Sequence, residues 1–143
     1  MAPAQASLLA KLDTQERVRD FLTNAVASGR ASHAYLFLGA PGAGKLDAAW
    51  ALAQAFLREQ DGCGSCDSCV RVARHTHPDV HYYTPESATG YLIAQTRELL
   101  DDVPLAPIRA KAKVYIIDRA EQLRANTANA LLKTLEEPPE GVM

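Results

Sequence analysis

The segment Gly39-Ala40-Pro41-Gly42-Ala43-Gly44-Lys45 constrains this chain more than any other. It matches G-x-x-x-x-G-K, and its flanks suit the motif. The continuous apolar run Ala34-Tyr35-Leu36-Phe37-Leu38 leads into it, and Leu46, Ala49, Trp50, Ala53, Phe56 and Leu57 recur at helical spacing after it. Without alternation, 34–38 reads as a strand buried on both faces, the parallel-sheet type. Strand, glycine turn and helix in that order aim backbone N–H groups at an anion. The helix N-terminus adds partial positive charge, and the lysine adds a full one. Gly39, Pro41, Gly42, Gly44 and Lys45 are therefore the candidate phosphate-binding residues. The bland alternative is a tight strand-to-helix turn with an exposed lysine.

Two positions depart from a working ATPase. The residue after the lysine of such a loop is ordinarily Ser or Thr, whose hydroxyl meets Mg²⁺; here it is Leu46. A carboxylate associated with Mg²⁺ belongs at the tip of another strand, and Asp118 closes the β-branched run Lys113-Val114-Tyr115-Ile116-Ile117-Asp118. A second acid to orient the attacking water would follow at once, but Arg119 stands there and Glu121 is two positions late. The loop has the shape for phosphate, while hydrolysis is not expected and no catalytic residue is assigned.

The remaining pattern alternates helices with strands. Asp13 or Thr14 caps a helix whose apolar stripe is Val18, Phe21, Leu22, Ala25 and Val26, with Gly29 as its stop. Val80–Tyr83 is a second strand, and Tyr91, Ile93, Arg97 and Leu100 lie on a helix that stops before Pro104. Ala125–Glu137 is a helix with Ala128, Leu131, Leu132 and Leu135 inward, ended by Pro138-Pro139. The class is α/β with a parallel sheet. Trp50 reads as a core anchor, Lys111 and Lys113 as flanking charges, and Arg97 as part of a solvated face.

All three cysteines fall within seven residues, as Cys63-x-x-Cys66-x-x-Cys69. That is no secreted disulfide framework and fits a reducing cytoplasm. The spacing offers soft ligands to tetrahedral zinc, which wants four. His75, His77 and His81 lie downstream as candidates for the fourth, and Arg58 stands five residues before Cys63. Three plain thiols in a loop are the alternative. The chain has 143 residues and a formal charge of −2, which excludes a polycation held to nucleic acid by charge alone. No apolar run approaches the ~20 residues of a membrane span, and the start Met-Ala-Pro-Ala-Gln-Ala does not read as a signal peptide.

Ser32-His33-Ala34-Tyr35-Leu36-Phe37, the Gly39–Lys45 loop, the three cysteines, His77-Pro78-Asp79 and Asn129-Ala130-Leu131-Leu132-Lys133-Thr134-Leu135-Glu136-Glu137-Pro138-Pro139 together resemble the clamp loader of bacterial DNA polymerase III. The resemblance runs from about Asp13 to Val142 and implies a three-layer P-loop NTPase (AAA+) domain. It also implies a zinc-type cysteine insertion at about 58–77, with Cys63, Cys66 and Cys69 as ligands and His75 or His77 in place of a fourth cysteine. Lys45-Leu46 and Asp118-Arg119 are similar to the non-hydrolysing delta-prime type rather than the gamma/tau ATPase. That implies a stator-like subunit joined to delta and gamma/tau in a ring that loads the sliding clamp on primed DNA, within a nucleotidyltransferase complex. An active gamma/tau-type ATPase and a zinc-dependent interaction module are the alternatives.

Under this resemblance 1–143 is the N-terminal part of the nucleotide-binding domain, truncated before its fourth strand, with lid and collar domains absent. The strand after Pro138-Pro139 would sit between the Gly39 and Asp118 strands. A gap is expected there, filled by direct pairing, by another chain or by disorder. Open strand edges of that kind invite self-association.

Overall fold

Lys45–Leu57 is rich in alanine and leucine, the strongest helix formers, and is apolar on nearly every side. A helix of that kind must be buried all round. In the computed structural model, which describes residues 7–58 and 64–143, it forms α2 at the centre of the molecule. On one side Ala51, Leu52 and Ala55 pack with Leu9 and Leu22; on the other Trp50, Ala53 and Leu57 pack with Val72, Val114 and Ile116. The buried polar residue of α2, Gln54, is fully used: its side chain accepts from Leu8 N at 2.8 Å and donates to Cys69 O at 3.0 Å. It thereby ties the N-terminal turn and the cysteine helix to the same post.

Helix α1, Glu16–Ala27, covers the first side. Leu22 is its buried anchor at 1% exposure, with Val18 and Val26 beside it. Phe21, expected in the same stripe, is 64% exposed because it lies at the edge of the contact. The expected cap from Asp13 or Thr14 is also absent: the N-cap position is Gln15, without a side-chain cap bond. The C-terminal stop is as expected. Gly29 takes φ +68°, which lets its own N–H and that of Arg30 close on the carbonyls of Val26 and Ala25.

The second side of α2 faces a parallel pair, β1 (Val80–Tyr83) and β2 (Val114–Ile117), with Val80 opposite Val114. Val114 and Ile116 point to α2, while Tyr115 and Ile117 pack with Tyr83, Tyr91, Leu99 and Leu131 on the opposite face. Both faces of β2 are covered, as its unbroken apolar run requires. Helix α4, Ile93–Asp102, and helix α5, Ala125–Glu136, cover that second face. Val114 N and Asp118 N bond to β1, and Lys113 N and Tyr115 N point the other way, to Gly141 O and Met143 O. Residues 141–143 thus lie along the edge of β2 away from β1, with Val142 bridged in parallel to Lys113.

The run 34–38 corrects the expectation of a doubly buried strand. Among the described residues it has no ladder partner. Tyr35 and Phe37 pack toward α1 and α2, whereas Leu36 and Leu38 are 74% and 84% exposed. The segment is extended with one face covered, and an apolar run cannot declare which of its faces will find a neighbour. The Gly39 and Asp118 strands do not pair directly. Helix α5 is corrected too. Leu131 packs inward, but Leu132 and Leu135 are half-exposed, and the buried residue of the helix is Thr127, against Thr96 of α4. Lys113 is not a solvated flanking charge; it is buried against Asp102. No helix among the described residues is long and apolar enough to cross a membrane.

Candidate functional site: the glycine loop and the strand tips

Gly42 and Gly44 adopt φ +81° and +91°, left-handed values that side-chain-bearing residues avoid. Gly39 approaches Ala43 so closely that a Cβ on it would lie 3.2 Å from the alanine Cβ. The loop closes on an Ala43 N to Ala40 O bond at 3.1 Å, and Ala48 N to Gly44 O begins the helical ladder. Lys45 Nζ donates to Gly39 O at 2.9 Å, curled over its own loop and exposed. Gln15 reaches in from the start of α1 and donates to Ala43 O at 3.3 Å. Beside the loop lies an open cavity of about 410 Å³, walled by Leu12, Val18, Phe37, Leu38, Trp50 and His75 among others. Pro41 is exposed in the loop.

Leu46 is half-buried, packs against the Trp50 cluster and lines the cavity beside the loop. One turn on, Trp50 stacks on His75 at 3.8 Å between ring centroids and 10° between planes, and meets the Tyr82 ring at 5.9 Å. His75 has φ +57° because it ends α3 (Asp67–Ala73) where glycine commonly would, with its N–H and that of Thr76 closing on Val72 and Arg71. The stack on Trp50 offsets the cost of that backbone.

Asp118 stands at the tip of β2, and protein groups already answer its carboxylate. Tyr82 O–H donates to Asp118 Oδ2 at 3.0 Å, and Arg119 Nε lies 4.0 Å from the same oxygen. Arg119 takes φ +50° and bonds Thr84 Oγ1 at 3.2 Å, so its guanidinium is held over the strand tips. Burial, then the bond to Asp118, pushes the Tyr82 phenol up and keeps it a donor. Tyr91 O–H sits between the carbonyls of Tyr83 and Asp118 and fixes the two strand ends to each other. A resident Mg²⁺ does not fit this set. Leu46 offers no oxygen, and the one carboxylate at the strand tip carries a phenol and a guanidinium.

The cysteine region is described from Gly64 onward, so Cys63 lies outside the described residues. Cys66 caps α3, its Sγ accepting Cys69 N–H at 3.4 Å, and Cys69 is buried. The two thiols stand three residues apart at the start of the helix, donors of the soft type that zinc takes. Of the candidate fourth ligands, His75 is stacked on Trp50, and His81 pairs with Asp102 at 3.3 Å on the other face of the sheet. His77 is buried, its Nδ1 accepts Asp79 N–H at 3.0 Å, and burial holds its pKa below the usual value. Among the described residues no three His, Cys, Asp or Glu side chains converge as a metal site.

Two features escaped sequence reading. Asp79, fully buried, accepts backbone N–H bonds from Ile108 at 2.6 Å, Arg109 at 2.7 Å and Ala110 at 2.6 Å. It anchors the loop before β2, whose Arg109 reaches Asp67 of α3 at 2.5 Å. Asp102 gathers Lys113, Tyr115 and His81. Neither acid has a local signal in the sequence; each is defined by donors about ten to thirty positions away. The motifs near 33 and 135 do meet, as a His33 Nε2 to Leu135 O contact of 2.7 Å.

Parallel strands, covering helices and a glycine loop opening α2 define an α/β protein with a small parallel sheet. The chain belongs to the family described as DNA polymerase III, delta subunit, whose model matches residues 14–143. It is 41% identical over 134 residues to DNA polymerase III subunit delta' of Bacillus subtilis (strain 168), covering 92% of this chain and 40% of that protein. It is 42% identical over 132 residues to subunit tau of Escherichia coli (strain K12), covering 90% and 20%, respectively. Subunit gamma/tau of Mycobacterium tuberculosis (strain ATCC 25618 / H37Rv) is 38% identical over 130 residues. The chain spans less than half the length of each of these relatives.

Proposed function

We propose that the chain serves DNA replication as a non-hydrolysing, delta-prime-like part of a DNA polymerase III clamp loader. In that role it occupies a ring with delta and gamma/tau subunits and helps place the sliding clamp on primed DNA in the cytoplasm. One observation carries the non-hydrolysing reading: the Asp118 carboxylate is answered by Tyr82 and Arg119, while position 46 holds a half-buried leucine that packs against the Trp50 cluster. Position 46 lacks the oxygen that would hold a metal against the phosphates, and position 119 lacks the acid that would orient a water. The finer fold in this reading is the three-layer AAA+ domain, with a zinc-type insertion at about 58–77. Its thiolates come from Cys63, Cys66 and Cys69, and bound zinc would supply structural cross-linking of that loop. Metal analysis giving about one zinc per chain tests that part.

The tau relatives are as similar to the chain as the delta' relative, which supports an active gamma/tau-type ATPase as the second reading. One assay separates the two. Phosphate release from Mg-ATP is measured with the chain alone and mixed with delta and gamma/tau subunits. The proposal expects no release by the chain alone and one stoichiometric complex in the mixture. Magnesium-dependent release that is lost on Lys45→Ala would sink it.

A further inference from the structure

Asp79, one residue before β1, holds the backbone N–H groups of Ile108, Arg109 and Ala110, and Lys113 N, just before β2, bonds Gly141 O at 2.7 Å. The loop 104–111 and the chain leaving α5 are therefore neighbours at the end of the molecule where both strands begin, with Gly141 against Lys111 O. Large apolar side chains stand out of both. Leu105 and Ile108 are 60% and 77% exposed in the loop, and Leu132 and Leu135 are half-exposed in the last two turns of α5. From this juxtaposition we propose that the end of the molecule formed by 104–111 and 132–140 is where a second copy of the chain docks, turned about a twofold axis.

The charges select that occupant. Residues 104–112 hold Arg109 and Lys111 and no acid, whereas 132–140 hold Glu136, Glu137 and Glu140 against one cation, Lys133. Arg109 already bonds Asp67, but among the described residues neither Lys111 nor any of these three glutamates is in an ion pair. A basic half beside an acidic half repels part of any surface of single sign, such as a nucleic acid or an anionic lipid layer. It matches itself when a copy is turned by half a circle, because one rotation then brings each basic half onto an acidic one. The loop comes to that contact prearranged. Pro104 and Pro107 restrict it and the N–H bonds to Asp79 fix 108–110, so docking costs it little conformational entropy. Four apolar side chains per copy make a small interface, and a Kd of about 10–100 µM is expected.

Sedimentation velocity of the whole chain, from low to high micromolar concentration, tests this. The expected result is a reversible rise in mass from one chain to two. Ile108→Asp should weaken the dimer about tenfold, as loss of a central apolar anchor does. Lys111→Glu, and separately Glu136→Lys with Glu137→Lys, should each weaken it about fivefold, and combining all three should restore it to within about threefold of the wild type. The paired glutamate change takes the formal charge from −2 to +2, the same magnitude, so weakening there is not general repulsion. Leu36→Lys, on the extended segment without a ladder partner, should leave the constant unchanged. All these side chains are exposed, and circular dichroism confirms that each variant folds. A single-chain mass at every concentration overturns the proposal, as does growth beyond two chains. Association lost on Leu36→Lys but kept in Ile108→Asp overturns it too, by assigning the contact to the 34–38 edge. A dimer indifferent to the charge reversals, or weakened by them without rescue, refutes the pairing of basic and acidic halves.

Discussion

Asp79 is the residue whose loss should be felt most out of proportion to its size. It is fully buried and accepts three backbone N–H bonds of 2.6 to 2.7 Å from Ile108, Arg109 and Ala110. Hydrogen bonds to a charged group contribute about 1.5–3 kcal/mol each when isolated. Three on one carboxylate share that charge, and the exposed backbone of 108 and 109 can turn to water when the acid is gone. Asp79→Asn keeps the size, leaves one acceptor oxygen and puts an amide NH₂ against an N–H donor, so a loss of about 2–3 kcal/mol is expected. For a chain of this length that corresponds to a fall in Tm of roughly 6–12 °C. The pH dependence gives an independent check. Burial works against the Asp79 charge, but the three N–H donors together outweigh it and hold the carboxyl below its usual range. A depressed folded pKa means the stabilisation is full above the unfolded value of about 3.9 and is lost as pH falls through the folded one. Thermal unfolding followed by circular dichroism between pH 7 and 3 should show the wild type converging on the variant at the acid end. A Tm shift under about 2 °C at pH 7, or a constant difference down to pH 3, would refute this account of Asp79.

The Asp102 cluster gives a second acid-sensitive lock. Asp102→Ala should cost about 3–5 kcal/mol in urea unfolding, because it strands the buried Lys113 cation, whereas Tyr115→Phe removes only the 2.5 Å bond and should cost about 1–2 kcal/mol. Gly90→Ala places a Cβ 2.7 Å from the Gln122 carbonyl at φ +123° and should destabilise by about 2–4 kcal/mol; Gly29→Ala, at φ +68° with open space around it, should cost only about 1 kcal/mol. Leu22→Ala should cost about 2–5 kcal/mol in the same unfolding assay, since it empties the contact between α1 and α2. Restoring both missing groups, Leu46→Thr with Arg119→Glu, should bring measurable magnesium-dependent phosphate release, and neither single change should do so.

Local patterns determined much of this protein. Gly39–Lys45 foretold a glycine turn at the head of α2, and the positive φ of Gly42 and Gly44 follows from having glycine there. Val80–Tyr83 and the core of Lys113–Asp118 are strands because β-branched and aromatic residues suit a pleated, packed surface. Leu46 and Arg119 stand in the sequence where an oxygen-bearing residue and an acid are expected. Tertiary structure decided what depended on neighbours distant in sequence. Apolar spacing marks a candidate face but not its cover, so Leu36, Leu38, Leu132 and Leu135 are exposed although each sits in a core-like pattern. Charge marks an ionisable group but not its partner. Lys113 is therefore buried on Asp102, Asp79 holds a loop some thirty residues away, and Asp118 is answered by Tyr82 from the adjacent strand. Backbone conformation and residue chemistry are written locally, whereas burial and pairing are properties of the assembled surface.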